Sequence, residues 1–455
     1  MVIGMTRAGK TTLICAMIDH WLNHPNGDRL HFRDGDRLIC HWKHPVSEGR
    51  RHFEASRVRF CDGRWPEKSL KPMNYQLNWR FASQKKVIGL KFRRSFQTIE
   101  IADIPGERMA DIEMFVCKSM REWSQQVVHK FRTNFITRQY FGEFDQLLSQ
   151  SADVDGQAAW FASLEAAYRR FIAKLISKNH PLVTPSSLLI DRNGEYVPKS
   201  ARGSVEQLTA WLENEAHLGL STDEKLFPLP EALLNTDFGQ SMEKTYHAYV
   251  KKVARPSLSD LVSAEDVIIT VDVAAILQEG PSWKNFTDYF LGKVADTLKP
   301  SGPILHALKK AWNWISYLGT AGYHKPRTVQ RVFLVSTQSD RVHDRYQDSL
   351  ARLVDSLKNH GLKTLINSGN VHVEAFPVSA VLSTVCDEST MQYRHKDMNG
   401  IQDVVIPACE IPIEFPDDWA STAYKFPIAA TKMPRNEAIP SVQRNLDKLS
   451  QSLLQ

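Results

Sequence analysis

The sequence has few cysteines, and none is placed for a metal site or a disulfide framework. The six cysteines of the 455-residue chain are scattered, and no two of them form a Cys-x-x-Cys pair. Zinc sites and disulfide-stapled domains depend on clustered cysteines at characteristic spacings. We therefore expect neither, and a reducing compartment is the simpler interpretation.

Long apolar runs are also missing. The longest, residues 267–277, is interrupted by Asp272 and is much shorter than the roughly 20 residues that a membrane-spanning helix needs. The N-terminus has no basic region followed by an apolar stretch that ends in small residues, so no secretory signal is expected. These absences predict a soluble protein, or at most a peripheral membrane protein.

Strong charge of one sign is absent too. The formal net charge is +6, and the lysines and arginines form no dense run. Such a mild basic balance permits contact with anionic lipid but does not require it. Because no nucleic-acid-binding motif accompanies it, we expect no nucleic-acid partner.

Short apolar segments alternate with segments of helical periodicity. The predicted strands are residues 1–3, 75–81, 87–92, 98–102, 267–273, 332–336 and 371–377. The predicted helices are residues 12–22, 112–148, 158–176, 238–256, 304–318 and 345–357, and residues 179–235 are predicted as irregular. This alternation predicts an α/β fold with a mostly parallel sheet. Residues 1–111 and 257–455 would form that domain, and residues 112–256 a large, mainly helical insertion.

Residues 4–11 read Gly-Met-Thr-Arg-Ala-Gly-Lys-Thr and match the phosphate-loop pattern GxxxxGK[ST] between a strand and a helix. The glycines allow a tight turn whose N–H groups point at phosphate oxygens. Lys10 would contact the β- and γ-phosphates and act in catalysis, and Thr11 would offer its hydroxyl to Mg²⁺. The predicted nucleotide contacts here are Gly4, Arg7, Ala8, Gly9, Lys10, Thr11 and Thr12.

An Asp-x-Pro-Gly motif follows the predicted strand at residues 98–102. Asp103 is placed to reach Mg²⁺, and the N–H group of Gly106 to sense the γ-phosphate. Glu107 stands where Ras-like proteins place the glutamine that orients the attacking water, so we predict a catalytic role. The alternative is a solvated carboxylate at a helix start. Arg108 either reaches the phosphates or is an exposed surface arginine.

A second magnesium ligand would come from the loop between these two motifs. The segment after Trp65-Pro66 contains Ser69, which is our candidate for the first switch. A serine that merely faces solvent is the alternative.

Two further motifs are typical of guanine recognition. Residues 337–340, Thr-Gln-Ser-Asp, follow a strand and resemble [NT]KxD, with Gln338 in the place of the lysine. In G proteins the Asp carboxylate accepts both N–H groups of the guanine edge. Ser379 and Ala380, after the next strand, resemble the short Ser-Ala motif. The predicted base contacts are Thr337, Gln338, Asp340, Ser379 and Ala380.

Together these motifs resemble the YcjX-like family of bacterial stress-associated P-loop proteins. Further marks of the resemblance are Val271-Asp272 followed by Leu277 and Gly280, residues 410–412 (Glu-Ile-Pro), and Phe415-Pro416. The resemblance covers nearly the whole chain. It implies a Ras-like P-loop fold, a cytoplasmic nucleotide hydrolase, a role in bacterial stress and a protein partner that is a membrane protein.

Three functions remain open. The first is a slow GTPase that binds GTP, GDP and Mg²⁺, with Thr6 crowding the entry that a partner's arginine uses in faster enzymes. The second is an ATPase, favoured by the missing lysine at Gln338. The third is a nucleotide-binding scaffold with negligible hydrolysis, whose helical insertion binds a partner.

Overall fold

The structure is a computed structural model, and it divides the chain into two compact units. It describes residues 1–5, 8–23, 37–62, 64–66, 71–82, 86–87, 90–91, 95–150, 155–178, 180, 183–189, 197–198, 201, 203–215, 218, 220, 225–299, 329–397, 400–420, 423–427 and 444–454. The first unit comprises residues 1–103, 264–284 and 300–455, and the second comprises residues 104–263 and 285–299.

All strands belong to the first unit. In chain order they are β1 (Val2–Gly4), β2 (Arg37–Trp42), β3 (Met73–Ala82), β4 (Lys86–Val87), β5 (Leu90–Lys91), β6 (Ser95–Asp103), β7 (Asp266–Val271), β8 (Arg331–Ser336), β9 (His372–Pro377), β10 (Thr384–Cys386), β11 (Thr390–Asp397) and β12 (Gly400–Pro407). Among the described residues, the second unit contains no strand.

A seven-stranded sheet with the order β2-β3-β6-β1-β7-β8-β9 is the centre of the first unit. The pairs from β6 through β1, β7 and β8 to β9 are all parallel. The pairs β2–β3 and β3–β6 are antiparallel. This arrangement confirms the predicted α/β fold with a mostly parallel sheet.

The helices are distributed over both units. They are α1 (Lys10–Asn23), α2 (Glu48–Cys61), α3 (Ile112–Val116), α4 (Met120–Thr133), α5 (Phe135–Leu148), α6 (Gln157–Ser177), α7 (Val205–Asn214), α8 (Glu231–Leu234), α9 (Asp237–Tyr249), α10 (Arg255–Ser263), α11 (Val273–Glu279), α12 (Pro281–Leu298), α13 (Gln347–Gly361), α14 (Lys363–Asn367) and α15 (Leu446–Leu454).

The first unit builds its core between the sheet and α1. One face of α1 carries Leu13, Met17 and Trp21, all of which are buried. The Trp21 ring meets Trp79 of β3 edge to face at 4.9 Å between centroids. The indole N–H of Trp21 also donates to Ser450 Oγ at 3.2 Å, which ties the C-terminal helix α15 to α1. Apolar residues at helical spacing thus fix the helix that starts within the 4–11 motif.

The second unit has its own aromatic core. Phe131 of α4, Phe141 of α5 and Phe171 of α6 contact one another with ring centroids 4.8–5.6 Å apart. Edge-to-face packing of this kind adds to the burial of apolar area. A five-residue π-helix, Val250–Ala254, joins α9 to α10 without a break. Within its described residues this unit has helices and turns and no strand.

Several predicted elements differ from the observed ones. The predicted strand 87–92 is wrong: β4 and β5 form a separate two-stranded sheet, and Phe92 lies outside the described residues. The predicted strand 267–273 ends at Val271, because the Asp272 carboxylate accepts the Ala275 N–H at 2.9 Å and caps α11. The predicted helix 304–318 lies outside the described residues. The long predicted helix 112–148 is three helices, α3 to α5.

Other elements were not predicted at all. Helix α7 lies within residues 179–235, which were predicted as irregular. Strands β10, β11 and β12 form a three-stranded antiparallel sheet. Helix α2 was not predicted, because only a few of its positions, such as Phe53 and Phe60, are buried and many of the others are charged. Apolar periodicity is weak in such a helix.

No described helix combines the length and the apolar character that crossing a membrane requires.

Candidate functional site

The loop after β1 begins at a glycine that has no room for a side chain. Gly4 has φ of 157°, and a Cβ atom there would lie 2.1 Å from Thr270 Oγ1 and 2.5 Å from the Thr270 carbonyl oxygen. The Thr270 hydroxyl itself donates to the Ile3 carbonyl at 3.2 Å. Strand β7 therefore packs directly on the start of the loop.

The second glycine of the motif turns the chain into α1. Gly9 has φ of 67°, the left-handed region that favours glycine. A Cβ atom there would come within 3.2 Å of Thr337 Oγ1. The Thr337 hydroxyl donates to the Ala8 carbonyl at 2.9 Å and contacts the Val271 carbonyl at 3.2 Å. The structure thus brings the 337–340 motif against the 4–11 motif.

Lys10 lies over its own loop. Its side chain is buried, and Nζ donates to the carbonyl oxygens of Gly4 at 3.2 Å and Met5 at 3.3 Å. A buried ammonium needs acceptors of this kind to offset its lost hydration. The ammonium group of Lys10 is consequently held against the backbone at the start of the 4–11 loop.

Thr11 and Asp103 are brought together although 92 residues separate them. Thr11, on the first turn of α1, donates its hydroxyl to Asp103 Oδ2 at 3.2 Å, and Asp103 is fully buried at the end of β6. Parallel pairing of β1 with β6, with Val2 opposite Asp103, sets this position. Hydroxyl and carboxylate oxygens are suitable donors for Mg²⁺, which usually takes one or two carboxylates and completes its shell with phosphate oxygens and water.

Over the described ranges, no group of three or more His, Cys, Asp or Glu side chains could hold a metal ion. Burial raises the pKa of the Cys15 thiol, one turn after Thr11, to about 12, so this thiol is protonated at neutral pH. A magnesium ion held at Thr11 and Asp103 would complete its shell with oxygen atoms beyond these two side chains.

The chain turns sharply after β8. Gln338 has φ of 57° and ψ of 34°, a left-handed conformation. This turn places Asp340, which is 4% exposed, so that its carboxylate accepts the Ser379 hydroxyl at 2.6 Å. Ser383 donates both its N–H, at 2.9 Å, and its hydroxyl to the other carboxylate oxygen. The two predicted base motifs are therefore in contact.

A half-buried ion pair supports this turn from β7. Arg341 donates to Asp272 Oδ2 at 3.0 Å and to Gln278 Oε1 at 3.0 Å. Burial raises the pKa of Asp272, and the guanidinium of Arg341 opposes that shift. The pair ties the end of β7 to the loop that carries Asp340.

Glu107 and Gly106 lie in the second unit. Both are buried in a 3-10 helix, Gly106–Asp111, that starts directly after Pro105. Glu107 is 1% exposed, so the alternative of a solvated carboxylate is wrong. Its role as the residue that orients water stays a prediction.

Arg108 is likewise no exposed surface arginine. It is 7% exposed and donates to the hydroxyls of Ser186 at 2.9 Å and Ser187 at 3.1 Å. Asp111 accepts the Ser186 N–H at 2.8 Å and the Tyr249 hydroxyl at 2.9 Å. The segment after the Asp-x-Pro-Gly motif is thus held by a buried polar network within the helical unit, which nothing in the sequence pattern indicated.

Thr12 lies on α1, and Ala380 is buried after β9. Thr6, Arg7 and Ser69 lie outside the described residues. Two residues of the site were not predicted: Thr270, which lies against Gly4, and Ser383, which donates to Asp340. Neither stands in a motif, and only the packing of β7 and of the segment before β10 reveals them.

A comparison with protein families matches the chain over its full length: the model of the YcjX-like family, DUF463, matches residues 1–455. This confirms the predicted family resemblance. No curated protein matches the chain.

Proposed function

The chain belongs to the YcjX-like family, and from this premise we propose that it is a nucleotide-binding switch protein that hydrolyses GTP with Mg²⁺. The contact of Thr11 with the buried Asp103 carries the proposal. It joins two motifs that are far apart in the chain, at a place where the phosphate and metal chemistry requires them to meet.

The position of the loop in the sheet supports nucleotide binding. From β1 the chain adds strands on one side, ending with β6, and later on the other side, beginning with β7. Ligands of open α/β sheets bind beyond the carboxyl ends of the strands at such a reversal of strand order. The 4–11 loop follows the strand at this reversal, so we assign it to the phosphates in a Ras-like P-loop fold.

The phosphate contacts would come from the backbone and Lys10. Glycines at positions 4 and 9 keep the turn tight enough for its N–H groups to converge on one anion. Lys10 would exchange its two carbonyl acceptors for β- and γ-phosphate oxygens, which are stronger acceptors for an ammonium. The first turn of α1 adds the positive end of the helix dipole.

Thr11 and Asp103 would hold Mg²⁺ between the protein and the phosphates. When bound, the ion would neutralise charge that develops on the phosphate oxygens. The residues of this chain supply the fixed oxygen donors and exclude water from the buried side of the site.

Asp340 and Ser379 would read the base. The Asp340 carboxylate is held by hydrogen bonds in a buried loop, and a fixed carboxylate favours a base whose N1 donates an N–H group over a base whose N1 is an acceptor. This favours guanine over adenine.

Hydrolysis would proceed by in-line attack of water on the γ-phosphate. Lys10 and the loop N–H groups would stabilise the transferring group. Glu107 is proposed to orient the water, and this part rests on its place four residues after Asp103. Roles in bacterial stress and with a membrane-protein partner remain predictions from the family resemblance.

The test is the affinity for GDP, GTP, ADP and ATP with Mg²⁺, together with phosphate release, for the wild type and for Lys10→Ala and Asp340→Ala. We expect Lys10→Ala to weaken all four nucleotides at least about tenfold, because a charged hydrogen-bond donor is lost. Asp340→Ala should remove the preference for guanine and leave ADP unchanged.

Lys358→Ala is the matched control, since that lysine pairs with Asp355 on the exposed part of α13. If Asp340→Ala leaves the affinities unchanged and adenine nucleotides bind as tightly as guanine nucleotides, an ATPase would replace the GTPase as the proposed function. Binding without phosphate release would leave a nucleotide-sensing scaffold. Absence of binding would overturn the proposal.

A further inference from the structure

The carboxylate of Asp340 already accepts three hydrogen bonds from the protein. Oδ1 accepts the Ser379 hydroxyl at 2.6 Å. Oδ2 accepts the Ser383 N–H at 2.9 Å and also the Ser383 hydroxyl. Ser379 Oγ lies 2.7 Å from the Val381 carbonyl as well, but the charged carboxylate is the stronger acceptor for its single proton.

A carboxylate has about four lone-pair positions, two on each oxygen. Three are taken here, and the remaining one lies on Oδ1. A guanine edge presents two N–H groups side by side, from N1 and from the 2-amino group, and needs one position on each oxygen. The arrangement around Asp340 offers one position too few.

We infer that the Ser383 hydroxyl occupies the position on Asp340 that the second N–H of a guanine base requires, and thereby limits the base selectivity of the site. The inference rests on the proposed function, because it assumes that Asp340 faces the base. Ser383 is a specificity-determining residue under this inference, and it acts through Asp340.

The segment that carries Ser383 is tied to the Asp340 loop at further points. The Thr384 hydroxyl donates to the Asp340 carbonyl oxygen. His343 Nε2 lies 2.6 Å from the Asp387 carbonyl oxygen, after β10. These contacts fix the backbone, so loss of the Ser383 hydroxyl alone would leave its N–H on Oδ2. Oδ2 would then gain an open position, and each oxygen would have one protein donor and one open position, which matches a guanine edge.

The test compares GDP with IDP, whose hypoxanthine base has the N1–H but lacks the 2-amino group. Titration calorimetry with Mg²⁺ on the full chain would give both affinities. For the wild type we expect GDP and IDP to bind within about twofold of each other, because one N–H is accepted. For Ser383→Ala we expect GDP to be favoured by about tenfold, the effect of one added hydrogen bond to a charged acceptor.

Two matched variants control the comparison. Thr384→Val removes the neighbouring hydroxyl, which touches the backbone of Asp340 and not its carboxylate, and should keep the wild-type ratio. Ser383→Thr retains a hydroxyl at the same place and should also keep that ratio. If Ser383→Ala does not fold, the GDP/IDP ratio of the wild type still decides, because a tenfold preference for GDP there would overturn the inference.

The outcomes separate this inference from the proposed function. If GDP and IDP bind with a tenfold difference in the wild type, or with the same ratio in wild type and Ser383→Ala, the inference is wrong while guanine nucleotide binding stands. If neither GDP nor IDP binds while ADP does, or if no nucleotide binds, the base assignment fails and the inference with it.

Discussion

At the scale of single residues, contacts that no motif describes shape the loop of residues 4–11. Gly4 is required because β7 lies against it, with Thr270 at the position that a Cβ atom would occupy. The hydroxyl of Thr337 plays a comparable part at Gly9, where it also bonds the Ala8 carbonyl. The loop geometry therefore depends on strands that enter the sheet more than 250 residues later in the chain.

Gly4→Ala tests this dependence. The added methyl group would meet the Thr270 carbonyl oxygen at 2.5 Å, and backbone cannot move aside as a flexible side chain can. We expect the free energy of unfolding to fall by about 2 kcal/mol or more, as for overpacked cores, with loss of nucleotide binding. Urea denaturation followed by circular dichroism would measure it.

Gly142→Ala is the control for the glycine substitution. Gly142 lies in α5, and nothing is within 4 Å of the position of its Cβ. Alanine there should raise the stability by about 0.5–1 kcal/mol, because glycine is a poor helix residue. Equal effects of the two substitutions would contradict the close approach of β7 to Gly4.

At the scale of elements, the helical unit encloses charged groups beside aromatic rings. Lys130 of α4 pairs with Glu113 of α3 at 2.6 Å, and both side chains are 3% exposed. The His180 ring packs edge to face on Phe286 of α12, with centroids 4.3 Å apart. Burial, and then the nearby charge of Lys130, lowers the pKa of His180 from 6.5 to about 3. The imidazole is neutral in the folded chain.

His180 is predicted to make the second unit sensitive to acid. Between pH 6.5 and pH 3 the unfolded chain binds a proton at this position that the folded chain does not, so stability falls as the pH falls. The loss amounts to about 3 kcal/mol between pH 7 and pH 4. For His180→Gln we expect this part of the pH dependence to vanish, as measured by urea denaturation across that range.

His247→Gln is the control for His180, because His247 is exposed on α9. It should keep the wild-type pH dependence. Parallel pH profiles for the wild type and His180→Gln would show that the buried imidazole does not carry the acid sensitivity.

At the scale of the whole molecule, each of the two compact units has a hydrophobic core among its described residues. One surrounds Trp21 and Trp79 between α1 and the sheet, and the other surrounds Phe131 and Phe171 in the helical unit. The 4–11 loop, which we propose to bind the phosphates, belongs to the first of these units. A ligand that binds only the folded state stabilises the unit that holds it.

Calorimetric unfolding should therefore show two transitions that respond to different changes. GDP and Mg²⁺ at about a hundred times the dissociation constant should stabilise the first unit by about 2.7 kcal/mol. Phe171→Ala should destabilise the second unit by about 3–5 kcal/mol, through the cavity that it leaves. If GDP instead raised only the transition that Phe171→Ala lowers, the nucleotide site would not lie in the first unit.

Periodic elements could be predicted because their signal is local. The predicted helix 158–176 corresponds to α6, and the predicted strand 332–336 to β8, each within one residue at either end. The insertion was predicted as residues 112–256. The second compact unit comprises residues 104–263 and also residues 285–299. Elements with mixed faces, such as α2 and β10 to β12, lack the apolar period that prediction depends on.

The sequence by itself determined the α/β pattern, the family and the motif at residues 4–11, because spacing along the chain encodes a turn, a helix and a motif. Only the tertiary structure decided which distant groups meet. It placed Thr11 on Asp103 and Ser383 on Asp340, and it buried Arg108 among serines. Parallel strands bring together chain segments that lie far apart in sequence, and no local pattern records which hydroxyl will reach which carboxylate.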